Sequence, residues 1–90
     1  MKTVLPLLAE YLGTFLLTFV ALTTRNAFVI GGTLAVIIFL IENFSGGLVN
    51  PAISYVMYLQ SKLSLKDFAY YVAIQMFAAL TSYSVYHIVA

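Results

Sequence analysis

Cysteine and tryptophan are absent from this 90-residue chain, histidine occurs once and proline twice, and four Lys plus Arg face three Asp plus Glu, a net charge of +1. Each scarcity closes off a class of function. Without cysteine there is no disulfide scaffold, no thiolate metal site and no Cys nucleophile. The single His87 cannot build a metal site. No block of basic residues could neutralise a phosphate backbone, so nucleic acid is not an expected partner, and no polar tail suggests disorder. A soluble domain is about 25% charged, roughly three times the 8% found here. What fills the chain instead is apolar: 63% hydrophobic residues and a mean hydropathy of +1.05. A polypeptide this short cannot bury so much apolar surface in a core of its own. Most of it must face lipid or other chains.

The few charges, Lys2, Glu10, Arg25, Glu42, Lys62, Lys66 and Asp67, divide the chain into long uncharged runs. Thr3 to Thr24, interrupted only by Glu10, and Phe68 to Ala90 are each long enough for the roughly 20 residues a helix needs to cross a bilayer. Asn26 to Ile41 is shorter and borrows flanking polar residues. A secretory signal after Lys2 is disfavoured because Glu10 interrupts what would be its apolar core. The three runs are predicted to be transmembrane helices. With the N-terminus in the cytoplasm, Lys2, Lys62 and Lys66 lie inside and Arg25 outside, the orientation favoured by the positive-inside rule.

The stretch from Asn43 to Ser61 is uncharged but carries Asn43, Ser45, Gly46, Gly47, Asn50, Pro51 and Ser54, which a lipid-exposed span would not tolerate. Its helix-competent part, Pro51 to Gln60, covers only about 15 Å at 1.5 Å per residue, half of the hydrocarbon thickness. A re-entrant half-helix is predicted. Asn50 is a favoured N-cap and Pro51 suits the first helical position; Gly46 and Gly47 supply the flexible descent before it. Irregular backbone at membrane depth persists only where it is buried in protein or lines a water-filled cavity. Ser64 followed by Asp67 resembles a capping box and starts the last helix. Ala9 with Gly13, Gly31 with Ala35, and Ala78 with Ser82 are small-residue pairs that permit close helix approach. Tyr70, Tyr71, Tyr83 and Tyr86 read as interfacial aromatic belts.

The segment Ser45-Gly46-Gly47-Leu48-Val49-Asn50-Pro51-Ala52-Ile53-Ser54 resembles the first Asn-Pro-Ala loop of the aquaporin and glycerol-facilitator family, the major intrinsic proteins. Ala9-Glu10-Tyr11-Leu12-Gly13-Thr14 followed by Leu17 is similar to that family's first-helix signature, and Gln75 with Ala78 and Ala79 to its third helix. These elements stand in the family's order and spacing across nearly the whole sequence. The resemblance implies a family architecture of two inverted repeats, of which this sequence matches the first, so that a pore requires a second half. It implies pore or solute-binding roles for Asn50, Pro51, Ala52, Gly46, Gly47, Leu48 and Val49. Glu10 would tether the loop and Gln75 would steady it. Leu48 stands where the family often has His, and Ile30, counted back from Asn50, where it often has an aromatic filter residue.

The expected fold is therefore an all-α membrane protein of three transmembrane helices plus one re-entrant half-helix, equivalent to one half of the aquaporin fold. The helices are placed over about 4–23, 27–42 and 65–88, with the loop and half-helix over about 43–60. The expected function is a passive channel for water or small neutral solutes, formed with an antiparallel second copy or a separate partner. No bond is made or broken, no cofactor or metal is expected, and the partners are the lipid bilayer, the solute and the second half-channel. The alternative is a non-transporting structural or interaction subunit of the membrane.

Overall fold

The computed structural model describes residues 4–90, which form four helices in the order α1 (Val4–Thr23), α2 (Ala27–Ser45), α3 (Pro51–Leu59) and α4 (Leu65–Val89), with no strand among the described residues. Lys2, counted above toward the orientation, lies outside them. α1, α2 and α4, at 20, 19 and 25 residues, are long and apolar enough to cross a membrane. α3 has nine residues, which at 1.5 Å each reach about 14 Å and cannot cross.

Local signals explain the boundaries. Oδ1 of Asn26 accepts from the N–H groups of Phe28 and Val29 at 2.9 and 3.1 Å and starts α2. Asn50 does the same for α3, with Pro51 at its first position, and Oγ of Ser64 accepts from Asp67 N at 3.0 Å to start α4. α2 ends later than expected. Asn43, Phe44 and Ser45 continue the helix to Gly46, whose left-handed backbone (φ 90°) closes it as its N–H donates to Glu42 O at 2.9 Å. Asn43 and Ser45 are polar, yet they continue the helix, and the stop comes at Gly46, where the left-handed cap is reached at no steric cost.

α1 is the centre of the bundle, packing on α2 along one side and α4 along the other, while α3 packs on α4. Aromatic pairs fasten these contacts: Tyr11 with Phe77 and Phe19 with Tyr86 join α1 to α4, and Tyr58 stacks on Phe68 at 5.2 Å where α3 meets α4. The buried residues of α1 and α4 are small or polar, Ala9, Glu10, Gly13 and Thr14 on α1 and Tyr71, Gln75, Ala78 and Ser82 on α4, while Ile37 on α2 and Val49 in the loop are buried branched apolar residues. Large apolar side chains such as Leu12, Phe39, Phe77 and Ile88 point outward. This distribution suits a lipid environment, where small residues let helices approach and apolar bulk costs nothing at the surface.

Gly13 carries a tighter constraint than helix–helix packing alone. A Cβ at this position would lie 2.8 Å from Cγ1 of Val49 and 2.9 Å from both Cγ2 of Ile37 and Cδ1 of Ile41. All three belong to β-branched side chains, and Cγ1 of Val49 and Cγ2 of Ile37 are placed by a stiff χ1, so these two cannot simply swing away. Gly13→Ala is expected to destabilise the fold by about 1–3 kcal/mol, the usual cost of overpacking, measured by thermal unfolding in detergent. Gly31 and Gly32, by contrast, have nothing within 4 Å of such a Cβ. The Gly31 and Ala35 pair therefore faces outward and joins no helices within this chain.

Candidate functional site

The bend between α2 and α3 holds three of four successive residues in left-handed backbone, Gly46 (φ 90°), Gly47 (φ 65°) and Val49 (φ 44°), with Leu48 between the last two as the exception. Gly47 needs its missing side chain, since a Cβ there would lie 3.2 Å from Cα of Ile38 on α2. Val49 is the anomaly. A β-branched residue at positive φ is costly, and it persists only where surroundings hold it. Here the side chain is buried in the space left by Gly13, and its N–H donates to Oε1 of Glu10 at 2.7 Å.

Glu10 is the hub. It is fully buried, and four donors converge on its two carboxyl oxygens. Oε2 accepts from Oγ of Ser45 at 2.6 Å and from Leu48 N at 3.0 Å. Oε1 accepts from Val49 N and from Nε2 of Gln75, the latter at 2.9 Å. A carboxyl group that accepts at both oxygens is the one side chain able to satisfy two backbone amides and two side chains together. A Glu10 side chain that reached for the headgroups would not be buried in this way.

The network continues into α3. The second hydrogen of Gln75 Nε2 goes to Oγ of Ser54 at 2.9 Å, and that hydroxyl lies 3.0 Å from the Asn50 carbonyl, to which it donates. From the opposite side, the hydroxyl of Tyr71 donates to the carbonyl of Ser45 at 2.8 Å. All four helices thus fix one short loop. Tyr71→Phe would leave the buried Ser45 carbonyl without this donor and is expected to cost about 1–2 kcal/mol in thermal unfolding, with Tyr70→Phe, on an exposed ring, as a silent control.

The loop ends at Asn50. Its Oδ1 accepts from Ala52 N at 2.7 Å and from Ile53 N at 3.4 Å, so the side-chain amide is turned with its oxygen toward α3. Among the described residues Nδ2 has no partner, and Asn50 is exposed. It borders a groove of about 250 Å³ lined also by Leu17, Leu34, Ile38, Gly47, Leu48, Val49 and Ile53. Among the described residues, none donates to the carbonyls of Gly47, Leu48 or Val49. The groove is lined mostly by apolar side chains, with Asn50 and the loop backbone from Gly47 to Val49 as its polar contributors.

The residues singled out from sequence divide by position. Asn50, Gly47, Leu48 and Val49 border the groove. Gly46 caps α2 instead, Pro51 is half-buried at the first turn of α3, and Ala52 is exposed, with its N–H bonded to Asn50. Ile30 is half-buried and does not reach the groove, although it shares a face of α2 with Leu34 and Ile38, one and two turns further on. Glu10 and Gln75 form the support beneath. Three contributors were not singled out for the site: Ser45 and Ser54, and Tyr71, which is buried rather than part of an interfacial belt. The spacing of Tyr71, Gln75, Ala78 and Ser82 at four, three and four residues marks one helix face and was the available signal.

A family model described as MIP, Major intrinsic protein, matches residues 1–90. No curated protein and no solved structure gives a significant match.

Proposed function

Because the chain belongs to the major intrinsic protein family, a family of channels for water and small solutes whose three long helices here make an integral multi-pass membrane protein, we propose that these residues form one half of a passive pore. A second unit of the same design, an inverted copy of this chain, closes the open side of the groove at Asn50. Inverted pairing of repeats about an axis in the membrane plane is a common way to place a site at the bilayer midplane.

The observation that carries this reading is the fixed direction of the Asn50 amide. Its oxygen is occupied by the N–H groups of Ala52 and Ile53, which leaves only hydrogen-bond donation for a passing solute. The N-terminus of α3 adds roughly half an elementary positive charge at the same place. A neutral molecule with a lone pair is held there and a cation is repelled. The free carbonyls of Gly47, Leu48 and Val49 replace the hydrogen bonds that the solute loses on leaving water. Leu17, Leu34, Ile38 and Ile53 supply a wall that offers none. Water and small polyols meet these conditions; hydrated ions do not.

Osmotic challenge of proteoliposomes tests the proposal. Water permeability is expected to rise above that of empty vesicles in proportion to the fraction of Ala52→Cys chains that cross-link to an inverted second copy. Empty-vesicle permeability in a fully cross-linked preparation would favour the non-transporting subunit.

A further inference from the structure

We infer that the side chain of Leu48 is the apolar barrier between the Lys62 end of the chain and the groove at Asn50, and so sets which solutes pass. The inference rests on the channel reading above and adds the residue that determines its selectivity. Two hollows flank the loop. One is the groove at Asn50; the other, about 210 Å³, is lined by Ser45, Gly46, Leu48, Met57, Lys62 and Leu63. Leu48 alone lines both. Any route from the Lys62 side into the groove that follows the loop must pass this one side chain.

Leu48 is held firmly enough to act as a barrier. Its N–H is fixed to Oε2 of Glu10, and its neighbours Gly47 and Val49 are both in left-handed backbone, so the main chain has little freedom to withdraw it. Its Cδ2 lies 3.7 Å from where a Cβ of Gly46 would sit, which places the side chain over the end of α2. The hollow on the Lys62 side is bordered by the charged Lys62, and the groove by Asn50. Between them Leu48 offers no hydrogen bond. A hydrophobic constriction of this kind excludes solutes by dewetting: a water molecule crosses after giving up few partners, whereas a hydrated ion would have to shed its shell. The ammonium of Lys62 at the outer hollow adds to the exclusion of cations.

The test uses single-cysteine chains, since the sequence has no cysteine of its own. Ile53→Cys places a thiol in the groove, and a small charged methanethiosulfonate reagent is added from the Lys62 side of reconstituted vesicles. Leu48→Ala is expected to raise the labelling rate about tenfold and Leu48→Phe to lower it by a similar factor, as widening and narrowing an apolar constriction should. Water permeability should follow the same order in the same vesicles. A merely structural role would lower both readouts in both variants, and equal labelling rates for Leu, Ala and Phe would overturn the inference. If labelling responds as expected while no variant conducts water, the barrier stands and the channel reading falls. If water flux depends on Asn50 and not on residue 48, the channel stands and the barrier falls.

Discussion

Glu10→Gln is expected to lower the unfolding free energy in detergent by about 2–5 kcal/mol, the largest stability effect of any single change in the chain that keeps the shape of a side chain. The reason is a count of donors. Glu10 receives Ser45 Oγ and Leu48 N on one oxygen and Val49 N and Gln75 Nε2 on the other. Glutamine keeps one oxygen and replaces the other with an NH2 group, so whichever way it turns, a buried backbone N–H and a second donor face hydrogens in place of a lone pair. Each buried donor left unpaired costs about 1–3 kcal/mol. The loss extends beyond stability, because the strained Val49 backbone depends on this bond. Melting temperature and water permeability should fall together. Unchanged melting would mean that the carboxyl group reaches the headgroups and bears no load in the loop.

Asn50→Asp should do the opposite, leaving the fold intact while changing what passes. Aspartate caps a helix as well as asparagine does, and a carboxylate at the N-terminus of α3 is favoured by the helix dipole, so thermal unfolding should shift little. The groove, however, loses its N–H donor and gains a negative charge. Water permeability is expected to drop about tenfold if a hydrogen bond worth roughly 1.4 kcal/mol to the crossing solute is lost, and a cation leak should appear. Both are read in the same vesicles, by light scattering and by a potential-sensitive dye. Normal flux without a leak would take Asn50 off the path.

Much of this architecture is legible in the sequence because lipid imposes a length rule. Three apolar runs, and one stretch too short and too polar to be a fourth, lead directly to three spans and a half-helix. Asn50 before Pro51 marks the start of α3 through backbone chemistry alone. The partners of Glu10 are a different matter. An acid in an apolar run demands donors, yet nothing local says that they are two loop amides, Ser45 and Gln75, which lie 35 to 65 residues away. Tyr71 and Tyr70 are adjacent and chemically identical, and only the rotation of α4 sends one ring inward to the Ser45 carbonyl and the other outward. Helices that are apolar nearly all round give periodicity little to reveal about such rotations. The same limit explains the small residues: Gly13 makes room for Val49 in the loop, while Gly31 and Ala35, at the same spacing rule as Ala9 and Gly13, face away from the rest of the chain.

The central claim is that the chain between α2 and α4 enters the membrane and returns on the same side, carrying Asn50 to the groove. Single cysteines at Asn43 and Lys62, both exposed, measure this directly when an impermeant thiol reagent is applied first to one face of the membrane and then to the other. Both positions should label from the same face, with Arg25→Cys labelling from the opposite one. Labelling of Asn43→Cys and Lys62→Cys from opposite faces would make the segment a full crossing and contradict the account.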